Sequence, residues 1–81
     1  MTNLEQYHKI LKSCLRCTDE DLNDEKLAYL RYKKWDSVTH IDMVAELEEA
    51  FGITFGTLDI TGFNTYSKGI EILKEHGVDF S

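Results

Sequence analysis

The chain contains no proline, and its five glycines all lie at or beyond Gly52, so no residue before that point forces the backbone out of a helix. Apolar spacing agrees. Leu4, Tyr7, Leu11, Cys14 and Leu15 recur at the three- and four-residue intervals of an amphipathic helix, with Asn3 or Thr2 as its N-cap and an end near Cys17. The clearest helical stretch is SVTHIDMVAELEEAFG, where Val38, Ile41, Val44, Ala45, Leu47 and Phe51 form an apolar stripe. Ser37 or Asp36 caps its start, and Gly52 stops it. A short helical turn over 57–61 falls between the turn glycines Gly56 and Gly62. A last helix over 65–76 presents Tyr66, Ile70 and Leu73 on one face, with Ile72 alongside and Gly77 beyond its end. The predicted fold is all-α: three longer helices, one short helix and a long first loop.

That loop, residues 18–36, lacks sustained periodicity, and a structureless connection of such length is unusual in a small domain. Leu22, Leu27, Leu30 and Trp35 are therefore expected to tie it down, with one helical turn near 24–27 and Tyr29, Tyr32 and Trp35 pinning it to the bundle. At 81 residues the chain holds a single domain, residues 1–81, with one core and little room to enclose chemistry of its own.

Fifteen acids against nine bases leave a net charge of -6, the wrong sign for binding nucleic acid. The excess is local. Between Lys34 and Lys68 there is no Lys or Arg, while Asp36, Asp42, Glu46, Glu48, Glu49 and Asp59 all fall in that interval. Asp42, Glu46 and Glu49 sit at i, i+4 and i+7, where like charges repel by roughly a few tenths of a kcal/mol per pair, so helix stability does not explain them. Either they form a solvated helix face or they dock basic partner proteins. No apolar run reaches the length of a membrane span, and MTNLEQYHKI reads as neither a signal peptide nor a myristoylation signal. A cytoplasmic protein that binds neither membrane nor nucleic acid is expected.

Asp36 and Ser37 open the acidic helix in the string WDSVTHIDMVAELEEAFGI. Asp-Ser alone says little, because both residues are common N-caps. The longer string resembles the acyl carrier protein family, whose pattern is an Asp-Ser-Leu motif opening a helix, alternating apolar and acidic residues, then Glu-Glu-x-Phe-Gly-Ile. Asp36, Ser37 and Val38 match the motif with Val replacing the common Leu; Ile41, Val44 and Leu47 match its core positions; Glu48, Glu49, Phe51, Gly52 and Ile53 match the helix end. More loosely, the resemblance covers the whole chain. Val38, Gly56 and Thr39 depart from the family's usual residues, which bears on which partners it would meet.

The resemblance implies a small four-helix bundle of acyl-carrier type. It implies that a phosphopantetheinyl transferase moves 4'-phosphopantetheine from coenzyme A onto the Ser37 hydroxyl, with Asp36 near the transferase's metal ion and coenzyme A. The arm's thiol would then carry an acyl or aminoacyl group as a thioester between a loading ligase and downstream acyl-processing enzymes with basic docking patches. A helix N-terminus suits the attached phosphate. By the same resemblance Asp42 and Glu48, with Glu49 beside them, contact partners, and Val38 and Ala45 expose apolar side chains to them. Periodicity alone leaves core packing equally open for Val38 and Ala45. Ile41, Val44, Leu47, Phe51, Ile53, Phe55, Tyr66, Ile70 and Leu73 are assigned to the core or to the walls of a cargo cavity. The protein so described is a monomer and not an enzyme.

Two readings from other classes stand beside it. One is an unmodified acidic helical bundle acting as a protein-interaction module. The other is a minimal enzyme using Ser37 and His40, one helical turn apart, although no oxyanion hole or orienting acid is identifiable and His40 reads rather as a helix residue partly packed beside the arm or its cargo. Cys14 and Cys17 have CxxC spacing and share a face if the helix continues through them; a zinc site needs two more ligands, with His8 the only local third, and no metal site is expected. They read as structural or incidental cysteines.

Overall fold

Short-range capping sets the helix boundaries. In the computed structural model, which describes residues 2–80, Thr2 Oγ1 accepts from the Glu5 N–H (3.1 Å) and the Glu5 carboxylate accepts from the Thr2 N–H (3.0 Å). This reciprocal pair starts α1, Asn3–Leu15. Helix α2, Ser37–Phe51, begins at Asp36 and stops at Gly52, whose φ of 64° is the left-handed conformation glycine adopts without strain. Helix α3, Thr57–Gly62, has the Asp59 carboxylate on the Gly56 N–H (3.2 Å), and α4, Tyr66–Glu75, has Thr65 Oγ1 on the Lys68 N–H (3.2 Å). Helix α1 ends sooner than its apolar spacing predicts, because Arg16 turns left-handed at φ 54°.

The first loop is structured, as its length requires. A 3₁₀ turn at Asp19–Asp21 is followed by one helical turn, closed by the Leu27 N–H on the Asn23 carbonyl (2.9 Å). Ala28 then forms an isolated antiparallel bridge with Thr65, the one strand-like pairing among the described residues. Two backbone bonds flank it, Tyr29 N–H to Asn64 O (2.8 Å) and Tyr66 N–H to Leu27 O (3.2 Å). Asp24 adds a carboxylate on the Ser67 N–H (2.7 Å) and hydroxyl (2.6 Å), so the loop caps the start of α4. Leu27 and Trp35 are buried and Leu22 is half-buried, but Leu30 is 70% exposed and does not anchor the loop. Its φ of 66° reverses the chain there and turns the side chain outward.

Helices α1 and α2 pack on each other around Tyr7, Leu11, Leu15, Met43 and Leu47, and the chain measures 29 × 27 × 18 Å. The inward stripe of α2 is His40, Met43, Val44 and Leu47, with Phe51 half-buried below it. Ile41, assigned from sequence to the core or a cavity wall, is instead 64% exposed. It lies with Val38 and Ala45 at i, i+3 and i+7, a second apolar row turned away from the core. Val44, Leu47, Phe55 and Leu73 are buried, and Phe51, Ile53, Tyr66 and Ile70 pack half-buried around them. On α4, Gly69 lies so close to Tyr7 Oη and the Phe63 ring that an added Cβ would overlap both. The Tyr7 hydroxyl there donates to the Tyr66 carbonyl (2.6 Å), tying α1 to α4.

Candidate functional site

The site is built at the junction of the first loop and α2. Tyr32 accepts the Trp35 N–H (2.9 Å) and Trp35 accepts the Leu30 N–H (3.0 Å), a tight reversal that drives the Trp35 side chain into the core. The next residue, Asp36, emerges into solvent as the N-cap: its Oδ1 accepts from the Thr39 N–H (2.9 Å) and its carbonyl from the His40 N–H (2.9 Å). The Thr39 backbone donor holds the Asp36 carboxyl below the usual carboxylate range. Ser37 follows in the first turn, exposed. The Thr39 N–H is thus already satisfied by Asp36, so a phosphate on Ser37 would face the positive end of the helix without displacing the cap.

His40 lies beneath this turn. Trp35 Nε1–H meets His40 Nδ1 at 3.0 Å, and His40 Nε2 meets the Ile60 carbonyl at 2.8 Å. An indole N–H only donates and a carbonyl only accepts, so Nδ1 carries the lone pair and Nε2 the proton. Both ring nitrogens are therefore engaged inside the protein, and one of them anchors α3. Spacing placed His40 within reach of Ser37; its hydrogen bonds turn it the other way.

Outward from Ser37 runs the row Val38 (70% exposed), Ile41 and Ala45, with Leu58 of α3 86% exposed. For Val38 and Ala45, exposure removes the core-packing alternative. Asp42 and Glu49 are exposed beside this row. The other acids of the run have structural partners. Glu48 is half-buried with Oε2 on the Phe55 N–H (2.7 Å), holding the α2–α3 connection. Glu46 accepts from the Cys14 thiol (3.2 Å), and Asp59 binds the His76 ring (2.7 Å) and the Gly56 N–H. Asp59 is held below the usual carboxylate range chiefly by His76.

Between α1, the loop and α2 opens a groove of about 840 Å³, where Arg16, Lys33 and Lys34 face Asp36, Asp42 and Glu46. The nearest bases thus lie on the α1 side of α2. Cys14 borders this groove, and burial, with the Glu46 bond, pushes its thiol up to about 12. Cys17 is buried beyond the end of α1, so the two thiols do not share a helical face, and burial raises its pKa too. Among the described residues no cluster of three or more His, Cys, Asp or Glu side chains is arranged to hold a metal, and no helix is long and apolar enough to cross a membrane.

No protein-family model matches the chain, and neither a curated protein nor a solved structure matches it. The buried Trp35–His40 pair and the exposed Leu58 escaped the sequence reading. The available signal was phase: His40 shares the helical face of Val44, Leu47 and Phe51, and a polar residue in that register must find buried partners.

Proposed function

We propose that this protein is an acyl carrier protein, modified on Ser37 with 4'-phosphopantetheine from coenzyme A and working among the enzymes of a cytoplasmic biosynthetic pathway as a monomer. The observation that carries the reading is the exposure of Ser37 in the first turn of α2, between a buried Trp35 and an outward apolar row. The residues fit the group. Asp36 caps the helix with its own carboxylate, which leaves the Ser37 hydroxyl at the surface, and the helix's positive end faces a phosphate attached there. When present, the arm supplies a thiol that holds an acyl or aminoacyl group as a thioester. Attachment forms a bond from Ser37 Oγ to phosphorus, breaks the pyrophosphate link of coenzyme A, and releases the adenosine bisphosphate half with the hydroxyl proton. Trp35 and Asp36 position the serine, and His40 holds α3 from inside without taking that proton.

Val38, Ile41 and Ala45, with Asp42 and Glu49 beside them, form the face on which basic transferase, ligase and acyl-processing partners would dock. Glu48 is less available there, since its Oε2 accepts the Phe55 N–H. Incubation with coenzyme A and a broad-specificity phosphopantetheinyl transferase, followed by intact mass, tests the reading. A gain of one phosphopantetheine that disappears in Ser37→Ala is expected. No gain with several such transferases would refute carriage and leave an unmodified interaction module.

A further inference from the structure

A carrier can shelter its cargo or leave it in solvent, and the packing under α2 bears on which. The space between α2 and α3 is filled by rings. Trp35 stacks on His40 (centroids 6.0 Å apart), and Phe63 meets both edge-on at 6.0 and 6.1 Å. Tyr29 closes on His40 from the loop side at 5.1 Å, and Phe55 meets Phe63 at 6.3 Å. Trp35, His40, Phe55 and Phe63 are all buried.

Hydrogen bonds lock this cluster, since Trp35 Nε1–H, both His40 nitrogens and the Ile60 carbonyl satisfy one another in series. Among the described residues no buried side-chain nitrogen or oxygen lacks a partner. An alkyl chain entering between α2 and α3 would separate these groups and return no hydrogen bond to any of them. The alternatives outside are poor. The 840 Å³ groove on the other side of α2 has Cys14 and Ala45 in its lining, but Arg16, Lys33, Lys34, Asp36, Asp42 and Glu46 share it, so an alkyl chain laid there would lie among charged groups. Val38, Ile41 and Leu58 protrude, so a chain laid over them would keep one side in water.

Resting on the carrier reading, we infer that the carried group is short or polar, of the size of an acetyl or aminoacyl unit, and stays in solvent rather than inside the bundle. Long-chain acyl groups gain no protection from this protein.

The test loads the full chain from acetyl-coenzyme A and, separately, from dodecanoyl-coenzyme A with the same transferase, and confirms each product by intact mass. Thermal midpoint, thioester cleavage by hydroxylamine and tryptophan emission are then compared. Trp35 is the only tryptophan, so its emission reports directly on the space in question. The dodecanoyl form is expected to melt at or below the acetyl form, to be cleaved at a similar rate and to emit identically. Burial of only two methylenes would raise the midpoint by at least about 6 °C. A rise of that size, a cleavage rate lowered more than about tenfold, or a shift in Trp35 emission would each overturn the inference while leaving carriage intact. Absence of a mass gain from either donor would instead overturn carriage, and the inference with it.

Discussion

Replacing His40 by leucine probes the pair that joins the candidate site to the core. The substitution keeps a similar volume but removes both ring nitrogens, so the Trp35 Nε1–H loses its partner in a buried place and the Ile60 carbonyl loses its partner in a partly buried one. Each such orphan costs about 1–3 kcal/mol. Burying the leucine side chain returns about 1.5–3 kcal/mol. The balance is a loss of about 2 kcal/mol, read as a lower urea midpoint at unchanged slope. A cycle with Trp35→Phe isolates the hydrogen bond. Once the indole N–H is gone, His40→Leu should cost about 1 kcal/mol less than in the native background. A His40→Leu protein within about 0.5 kcal/mol of the native one, or a cycle additive within about 0.5 kcal/mol, would refute the argument that this histidine is held as a buried bridge. Phosphopantetheine incorporation into folded His40→Leu should proceed at the native rate, since neither ring nitrogen faces Ser37; a large loss of incorporation would restore His40 to a role at the serine.

Gly69→Ala should destabilise in denaturant titration: the helix gains about 1 kcal/mol from the better helix former, but the new methyl overlaps Tyr7 and Phe63, and overpacking costs about 1–3 kcal/mol. Asp24, Asp36 and Asp59 are all lowered from the reference of 3.8, by the Ser67 donors, the Thr39 N–H and His76 respectively. A carboxylate depressed in the folded state stabilises above its unfolded pKa, so the thermal midpoint should hold above about pH 5 and fall as pH drops through 3.8 and below, less steeply in Asp24→Asn. Cys14, pushed up to about 12, and the buried Cys17 should react slowly with a disulfide reagent at pH 8 and quickly in denaturant, so any fast thiol on the modified protein belongs to the arm. Rapid native labelling of both cysteines would contradict the packing described.

Local signals were legible because their causes are local. Thr2 with Glu5, Asp36 with Thr39, and Gly52 in its left-handed turn act over a few residues, and each is readable in the order of the chain. The sequence leaves Ser37 and Asp36 as alternative caps, and the Asp36 bond to the Thr39 N–H puts Ser37 in the first turn of α2. The apolar row of α2 reads as one stripe in the sequence, and the fold splits it. Val38, Ile41 and Ala45 look outward because His40 and Met43 take the inward phase, a choice made by Trp35, Ile60 and Phe63 rather than by hydropathy.

The acidic run shows the same division. Its density between Lys34 and Lys68 is a property of the sequence, but which acids remain available depends on partners far along the chain: Cys14 for Glu46, Phe55 for Glu48, His76 for Asp59. Gly69 is the sharpest case, a helix-weakening residue with no local purpose, whose purpose is the approach of Tyr7 and Phe63. Sequence alone narrowed the helix ends to within a residue or two, because caps are short-range interactions, but it did not show the left-handed stop at Arg16. Which side of each helix faces inward, and which charges are spoken for, only the tertiary structure decided, because those answers rest on contacts between residues distant in the chain.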